Sequence, residues 1–161
     1  EATWVPSSSP GLSARLNCYG AYNFTDGRCF LWQQGTCDSD QTITFLHHLS
    51  AWLNEKRRKV VLIWDGASYH KAKKVKATCK QLGFALLPLP GYSPDLNPIE
   101  GLWKWLREDV TQLQCHDSLL ALWEDCLAFI DRINLTPEQI ITRLWPHFEL
   151  DPDVEKLRLS S

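Results

Sequence analysis

A continuous apolar run at residues 60–64 constrains the fold more than any other feature of this sequence. Its short length and its β-branched and aromatic side chains indicate a strand that is buried on both faces, as in a parallel sheet. A helical pattern follows at 70–82 and stops at Gly83, and a second short apolar run lies at 84–87. Strand, helix and strand in this order predict a right-handed crossover between two parallel strands.

The segments on either side of the crossover complete an α/β domain. Two stretches rich in aromatic and aliphatic residues, 15–23 and 28–34, flank the pair Asp26 and Gly27, which is a strong signal for a β-hairpin. A short strand is expected at 2–5, and helical spacing or start signals predict helices at about 40–56, from about 98, at 117–133 and at 137–145. A hairpin that joins a parallel pair predicts a mixed sheet with helices on its faces.

The 161 residues are enough for one domain with a substantial core. We divide the chain into an irregular N-terminal segment (1–14), a core (15–115), C-terminal helices of the same domain (116–148) and a loose tail (149–161). No apolar run approaches the roughly 18–20 residues of a membrane span, and the first residues have no signal-peptide pattern. We therefore expect a cytoplasmic protein whose six cysteines, which show no zinc-site spacing, are reduced thiols.

Positive charge is concentrated in residues 56–80. This segment holds nine of the 17 Lys and Arg residues and one acid, Asp65, so that its net charge is +8 while the rest of the chain carries −10. A basic band around one carboxylate is typical of a site that handles phosphate, although a solvated surface is the ordinary alternative. The candidate contacts to a nucleic-acid backbone are Lys71, Lys73, Lys74, Arg57, Arg58 and His70.

Two carboxylates follow the two strands of the crossover. Asp65 stands at the carboxyl end of the first strand, where open α/β sheets bind their ligands. Glu100 stands in the first turn of the helix after the second strand. Because neighbouring strands lie about 4.8 Å apart, the loop 90–99 can bring the two carboxylates together. Converging carboxylates bind hard divalent cations, and a pair of such ions promotes displacement at phosphorus.

Each of these residues also has an ordinary structural interpretation. Asp65 can cap the turn that follows it, and Asp95 lies in a segment dense in turn-forming residues. Asn97 as the N-cap, Pro98 as the first helical residue and Glu100 two positions later form a capping box. His70 is a candidate general base or phosphate contact, with a role as a helix-start residue as the alternative.

Two motifs resemble a known family. Residues 61–72 (VLIWDGASYHKA) and 90–103 (PGYSPDLNPIEGLW) are similar to the second- and third-carboxylate motifs of DDE transposases of the mariner-like superfamily, with the bacterial insertion-sequence branch as the best match. Thirty-four residues separate Asp65 from Glu100, which is the spacing of this family. The segment 15–22 (RLNCYGAY) also follows the family's pattern upstream of the second aspartate.

The resemblance implies an RNase H-like fold and a DDE superfamily endonuclease activity. In that family three carboxylates bind two Mg²⁺ or Mn²⁺ ions, and the protein cuts DNA at element ends and joins a 3′-hydroxyl to target DNA. It implies catalytic and metal-binding roles for Asp65 and Glu100, with DNA as the partner. It also implies a location in the bacterial cytoplasm or nucleoid, with homodimerisation left open.

The sequence departs from the family pattern at the first aspartate. That residue sits on the central strand before the hairpin, yet the residues that precede Arg15 contain no Asp, and Asp26, Asp38 and Asp40 fall in turns. We therefore expect a fragment without its first strand, with a gap between the hairpin and residues 60–64 that a partner chain or, poorly, residues 1–6 fill. Such a chain should be inactive alone. The alternative functions are a non-catalytic remnant that binds DNA weakly or not at all, and a resolvase-like nuclease, which the motif at 90–103 disfavours.

Overall fold

A computed structural model describes the chain over residues 16–34, 38–54, 59–65, 68–90, 94–112 and 115–145. The predicted strand at 2–5, the arginines at 57 and 58 and the tail lie outside these ranges. Within them the strands form two separate two-stranded sheets, one antiparallel and one parallel. Every helix in the described part of the chain is too short or too polar to span a bilayer.

The hairpin forms where the sequence predicts it. Strand β1 (Asn17–Tyr22) pairs antiparallel with β2 (Cys29–Gln34), and the pairing begins with Tyr22 opposite Cys29. The amide of Gly27 donates to the carbonyl of Asn23 at 2.8 Å, and Gly27 takes a φ of +76°. This left-handed conformation is one that glycine adopts at no steric cost, which explains the Asp-Gly signal at the turn.

Helix α1 (Ser39–Leu53) follows the hairpin. Its N-cap is Asp38, whose carboxylate accepts the backbone N–H groups of Asp40 and Gln41, each at 2.9 Å. The helix ends at Leu53, three residues before the predicted end, because Asn54 turns into the left-handed region with φ 48°.

The predicted parallel pairing is confirmed. Strand β3 (Val60–Trp64) pairs in parallel with β4 (Phe84–Pro88), in a register that places Trp64 opposite Pro88. The connecting segment is a 3₁₀ turn (Ser68–Lys71) followed by helix α2 (Lys73–Gln81). The predicted single helix over 70–82 is therefore wrong at its start, while Gly83, with φ +75°, ends the helix as expected.

The expectation that this parallel pair is buried on both faces is also wrong. Burial alternates along β3, and Val61 and Ile63 are 54% and 52% exposed, as is Leu87 of β4 at 52%. Successive side chains of a strand point to opposite faces, so these three residues share one face. An apolar run indicates a strand, but it does not show whether other strands or helices cover both of its faces.

Three helices follow β4. Helix α3 (Pro98–Leu106) continues into a π-helical turn (Arg107–Thr111), and α4 (Leu119–Asn134) and α5 (Pro137–Leu144) complete the described chain. One face of this helical segment is buried, with Leu102, Leu106 and Val110 in the core. Trp105 lies off that face and is half-buried, with its ring edge-on to Phe129 at 5.4 Å.

The hairpin separates two hydrophobic cores. One of its faces, with Cys29 and Leu31, packs on α3, α4 and α5. The other face, with Tyr19 and the half-buried Phe30 and Trp32, packs on α1 and on a core that includes α2 and β4. The five cysteines in the described ranges are free thiols, at positions 18, 29, 79, 115 and 126.

The two sheets do not join within the described residues, because β1 pairs with β2 and β3 pairs with β4. The expected single mixed sheet is therefore present as two halves, and a cavity lies between them.

Candidate functional site

Asp65 lies at the carboxyl end of β3, beside the end of β4. The amide of Leu89 donates to the carbonyl of Trp64 at 2.8 Å, which extends the pairing of the two strands by one residue. The two strand ends therefore lie side by side, as expected, and the chain that leaves β4 starts next to Asp65. The carboxylate of Asp65 is 56% exposed.

The side chain of His70 folds back onto this strand end. The 3₁₀ turn brings its Nδ1 to 3.0 Å from Oδ1 of Asp65 and to 3.4 Å from the backbone carbonyl of the same residue. Its ring stacks on the indole of Trp64, with centroids 4.4 Å apart and planes inclined by 3°. Only 13% of the His70 side chain is exposed.

Two opposing effects act on the protonation of His70. Burial lowers the pKa of the imidazole below its ordinary value of 6.5, because an apolar environment disfavours the charged form. The Asp65 carboxylate and carbonyl act in the opposite direction and raise the pKa, and burial is the larger effect. Both atoms near Nδ1 are oxygen acceptors, so Nδ1 carries the proton that is donated to Asp65.

The start of α3 shows that the predicted capping box is only half formed. Asn97 is the N-cap, and its side-chain oxygen accepts the amide of Ile99 at 3.4 Å. The amide of Asn97 donates to the carbonyl of Pro94 at 2.9 Å, so the bond that Glu100 makes in a full capping box is replaced. Glu100 is exposed in the first turn of the helix.

A cavity of about 500 Å³ connects these residues. Consecutive residues of β1 and of β3 line it, whereas β2 and β4 contribute none, which shows that the edges of the two inner strands border the cavity rather than the faces of the sheets. The remaining walls come from the hairpin turn at 23–26, from Lys59, from α1, from the segment around Asp65 and from the start of α3. They include Phe45, Leu49, Trp52, Asp65, His70, Asn97, Pro98, Ile99 and Trp103.

The structure therefore brings some of the predicted site residues together and leaves others apart. Asp65, His70, Asn97 and Pro98 line one cavity, but Glu100 is not part of its lining. Across the described ranges, no three His, Cys, Asp or Glu side chains are grouped so that they could hold a metal ion. These residues by themselves do not fit the two-ion site that the resemblance implies.

The predicted DNA contacts have different surroundings. Lys71 and Lys73 are exposed beside the site. Lys74 is engaged with α1, since its Nζ lies 2.6 Å from Oδ1 of Asp40. Arg57 and Arg58 fall outside the described ranges. Asp95 is exposed in a 3₁₀ turn (Pro94–Leu96), in agreement with the expected turn role.

The sequence interpretation missed two aromatic residues of the site. Trp64 is the platform for His70, and Trp103 fills the side of the cavity next to Gly20, where an added Cβ would lie 2.5 Å from Cη2 of the indole. The sequence does contain a signal for Trp64, which stands directly before Asp65, with His70 five residues after that aspartate. Trp103 lies on the face of α3 that meets β1.

The described residues thus form an α/β domain, with Asp65 at the carboxyl edge of a parallel strand pair and a hairpin on the other side of a cavity. Residues 3–122 match the family described as DDE superfamily endonuclease. The chain belongs to this family. A comparison with curated proteins gave no match.

Several solved structures share the fold. The crystal structure of the catalytic domain of Mos1 mariner transposase is 21% identical over 91% of this chain and 81% of that one, with a TM-score of 0.60. The Mos1 catalytic domain with raltegravir and Mn is 21% identical over 74% and 71%, with a TM-score of 0.56. The fold is thus that of an RNase H-like transposase catalytic domain.

A longer Mos1 chain also aligns. In the Mos1 strand transfer complex the identity is 23% and the TM-score 0.55, over 92% of this chain. This chain spans about half, 51%, of the chain in that complex.

Proposed function

We propose that this chain is the catalytic core of a transposase that cleaves DNA strands and transfers them to a target. Its family membership supports the reaction class, and the single observation that carries the site is the position of Asp65. The carboxylate lies at the carboxyl edge of a parallel pair, on a cavity shared with the start of the helix that bears Glu100. The motif at 90–103 favours the insertion-sequence branch and hence the bacterial cytoplasm or nucleoid.

We also propose that Asp65 and Glu100 are two of the ligands for Mg²⁺ or Mn²⁺. Carboxylate oxygens suit these hard cations, and the Mos1 catalytic domain has been solved with Mn and with Mg. Since the described residues do not form a complete site, a further carboxylate has to be supplied from elsewhere. The cavity indicates where, because a strand between β1 and β3 would join the two half sheets and end beside Asp65.

Metal binding tests the two ligands separately from activity. The Mn²⁺ affinity of the chain should fall about 10-fold or more in Asp65→Asn and in Glu100→Gln, because each change removes a charged oxygen ligand. Asp95→Asn is the matched control, since it removes an exposed carboxylate five residues from Glu100 and should leave the affinity unchanged. Equal losses in all three variants would show that Mn²⁺ binds only to surface charge.

Strand occupancy of the cavity is tested by hydrogen exchange. In β3 the amides that bond to β4 should exchange slowly, and the alternate amides, which point to the cavity, should exchange quickly. Uniform protection along Val60–Trp64 would show that another segment of the chain already pairs with this edge.

The second candidate function is a non-catalytic remnant that binds DNA. It is favoured by one observation: among the described residues no three His, Cys, Asp or Glu side chains are grouped so that they could hold a metal ion. A nicking assay on supercoiled plasmid with Mg²⁺ or Mn²⁺ tests whether this chain cleaves DNA by itself. Cleavage that Asp65→Asn abolishes supports a complete site in this chain. Cleavage no greater than that of the variant supports either the remnant or a core that needs its further strand.

A further inference from the structure

The side chain of His70 contacts the Asp65 carboxylate directly. Nδ1 of His70 lies 3.0 Å from Oδ1, while two further contacts of the imidazole, the stack on Trp64 and the 3.4 Å approach to the Asp65 carbonyl, orient the ring itself. The result is an asymmetric pair, in which a ring that is only 13% exposed supports a carboxylate that is 56% exposed.

This geometry holds the Asp65 carboxylate in one orientation. A free aspartate on a strand end samples several rotamers, and fixing one of them costs side-chain entropy when a cation binds. A hydrogen bond from a rigid donor removes that cost in advance. Partners of this kind behind metal-binding side chains typically change metal affinity about 10- to 100-fold.

Local sequence creates the arrangement. Trp64 is the last residue of β3, Asp65 follows it directly, and the 3₁₀ turn returns the chain so that His70, five residues on, meets both. The stack, with centroids 4.4 Å apart, holds the imidazole in a plane parallel to the indole, and in that orientation Nδ1 lies 3.0 Å from the carboxylate.

We propose that His70 is a positioning residue, which donates from Nδ1 to Asp65 and, clamped against Trp64, orients the carboxylate for a divalent cation. This inference rests on the proposed role of Asp65 as a metal ligand. It gives His70 a function that differs from contact with the DNA backbone and from proton transfer.

Two substitutions separate the hydrogen bond from the packing. His70→Asn keeps an N–H donor near the position of Nδ1 but loses the stacked ring. His70→Phe keeps a ring that stacks on Trp64 but has no donor. His48→Phe is the matched control, because His48 also lies against a tryptophan, Trp32, with centroids 4.5 Å apart, and neither residue lines the cavity.

Mn²⁺ affinity is the first measurement, with thermal unfolding to confirm that each variant is folded. We expect His70→Phe to bind Mn²⁺ about 10-fold more weakly, His70→Asn to retain most of the affinity, and His48→Phe to match the wild type. Wild-type affinity in His70→Phe, or an equal loss in His70→Asn and His70→Phe, would overturn the proposal.

The ¹³C shift of the Asp65 carboxyl, measured without metal, is the second measurement. It should change in His70→Phe and stay close to the wild-type value in His70→Asn, because it reports the hydrogen bond directly. If Asp65→Asn leaves Mn²⁺ binding intact, the proposed metal site fails. The carboxyl shift then decides alone whether His70 orients Asp65, and an unchanged shift in His70→Phe would overturn the inference.

Discussion

The side-chain amide of Asn134 satisfies both backbone groups of Cys29. Its Oδ1 accepts the Cys29 N–H at 2.8 Å and its Nδ2 donates to the Cys29 carbonyl at 2.8 Å, across 105 residues of sequence. The last residue of α4 thus stands where a further strand would pair with β2. This contact closes the outer edge of the hairpin and ties it to the C-terminal helices.

The first prediction concerns this contact. Asn134→Ala leaves an N–H and a carbonyl of a buried residue without partners, and Cys29 is only 1% exposed. Since a buried polar group that loses its partner costs about 1–3 kcal/mol, we expect a loss of about 2–3 kcal/mol in the free energy of unfolding. Thermal and urea unfolding measure it.

The control for Asn134 is Gln81→Ala, which removes an exposed amide side chain at the end of α2 and should change stability by less than about 0.5 kcal/mol. Equal stabilities of the two variants would contradict the role assigned to Asn134.

The second prediction concerns Gly20 and Trp103. A Cβ on Gly20 would lie 2.5 Å from Cη2 and 2.8 Å from Cζ2 of the indole, so Gly20→Ala forces a large ring to move and should cost about 1–3 kcal/mol. Trp103→Ala, which removes a half-buried ring, should cost about 2–4 kcal/mol. Because the clash needs the ring, the double variant should be no less stable than Trp103→Ala alone.

A double-mutant cycle by urea unfolding tests this coupling. Additive losses in Gly20→Ala and Trp103→Ala would show that glycine is required at position 20 for a reason other than the indole.

Local features of the fold were predictable because they depend on neighbouring residues. Gly83 ends a helix and Asn97 begins one through their own backbone and side-chain chemistry, and the apolar run at 60–64 gives a strand whatever surrounds it. Exposure was not predictable in the same way. Val61 and Ile63 lie on an uncovered face, and Trp105 is covered, for reasons that depend on residues distant in the sequence.

At the candidate site, too, only some of the features could be predicted from the sequence. The position of Asp65 at a strand end could be inferred from the pattern and the resemblance. Its contact with His70 could not, because the expected helix from residue 70 would have aimed the imidazole elsewhere. A break at Ala72 and a 3₁₀ turn produce the contact, and no periodicity in the sequence indicates them.

The third prediction concerns the cysteines. Burial raises the pKa of Cys29 to about 12, with Asp26 adding to the effect, and raises the pKa of Cys79 and of Cys126 to about 11. At pH 8 these thiols are almost entirely protonated, and the thiolate is the reactive form. We expect iodoacetamide to alkylate the exposed Cys115 much faster than these three.

Peptide mapping by mass spectrometry measures the alkylation rates, and the same reaction in denaturant is the control, since all thiols should then react alike. Because pH 9 is still well below a pKa of about 11, raising the pH from 8 to 9 should leave the order unchanged. A native rate for Cys126 equal to that of Cys115 would contradict the burial of α4 against the hairpin.

The last prediction concerns DNA binding. Lys73 and Lys80 are exposed on the same helix, and a spacing of seven residues places them on one face, about 10 Å apart along the axis of α2. They differ in their distance from the site, because Lys73 follows the turn that holds His70 whereas Lys80 lies at the far end. If the DNA backbone passes the site, Lys73 neutralises a phosphate and Lys80 contributes less.

We therefore expect weak binding to duplex DNA, without sequence preference, that weakens steeply as salt rises. Lys73→Gln should reduce the slope of log affinity against log salt by about one unit, because each neutralised phosphate contributes about 0.9. Lys80→Gln removes the same charge from the same helix and should change the slope by less than half as much. Fluorescence anisotropy at several salt concentrations measures both. Equal slopes for the two variants would mean that DNA meets the helix only as a diffuse positive surface, and the backbone path past Asp65 would have to be abandoned.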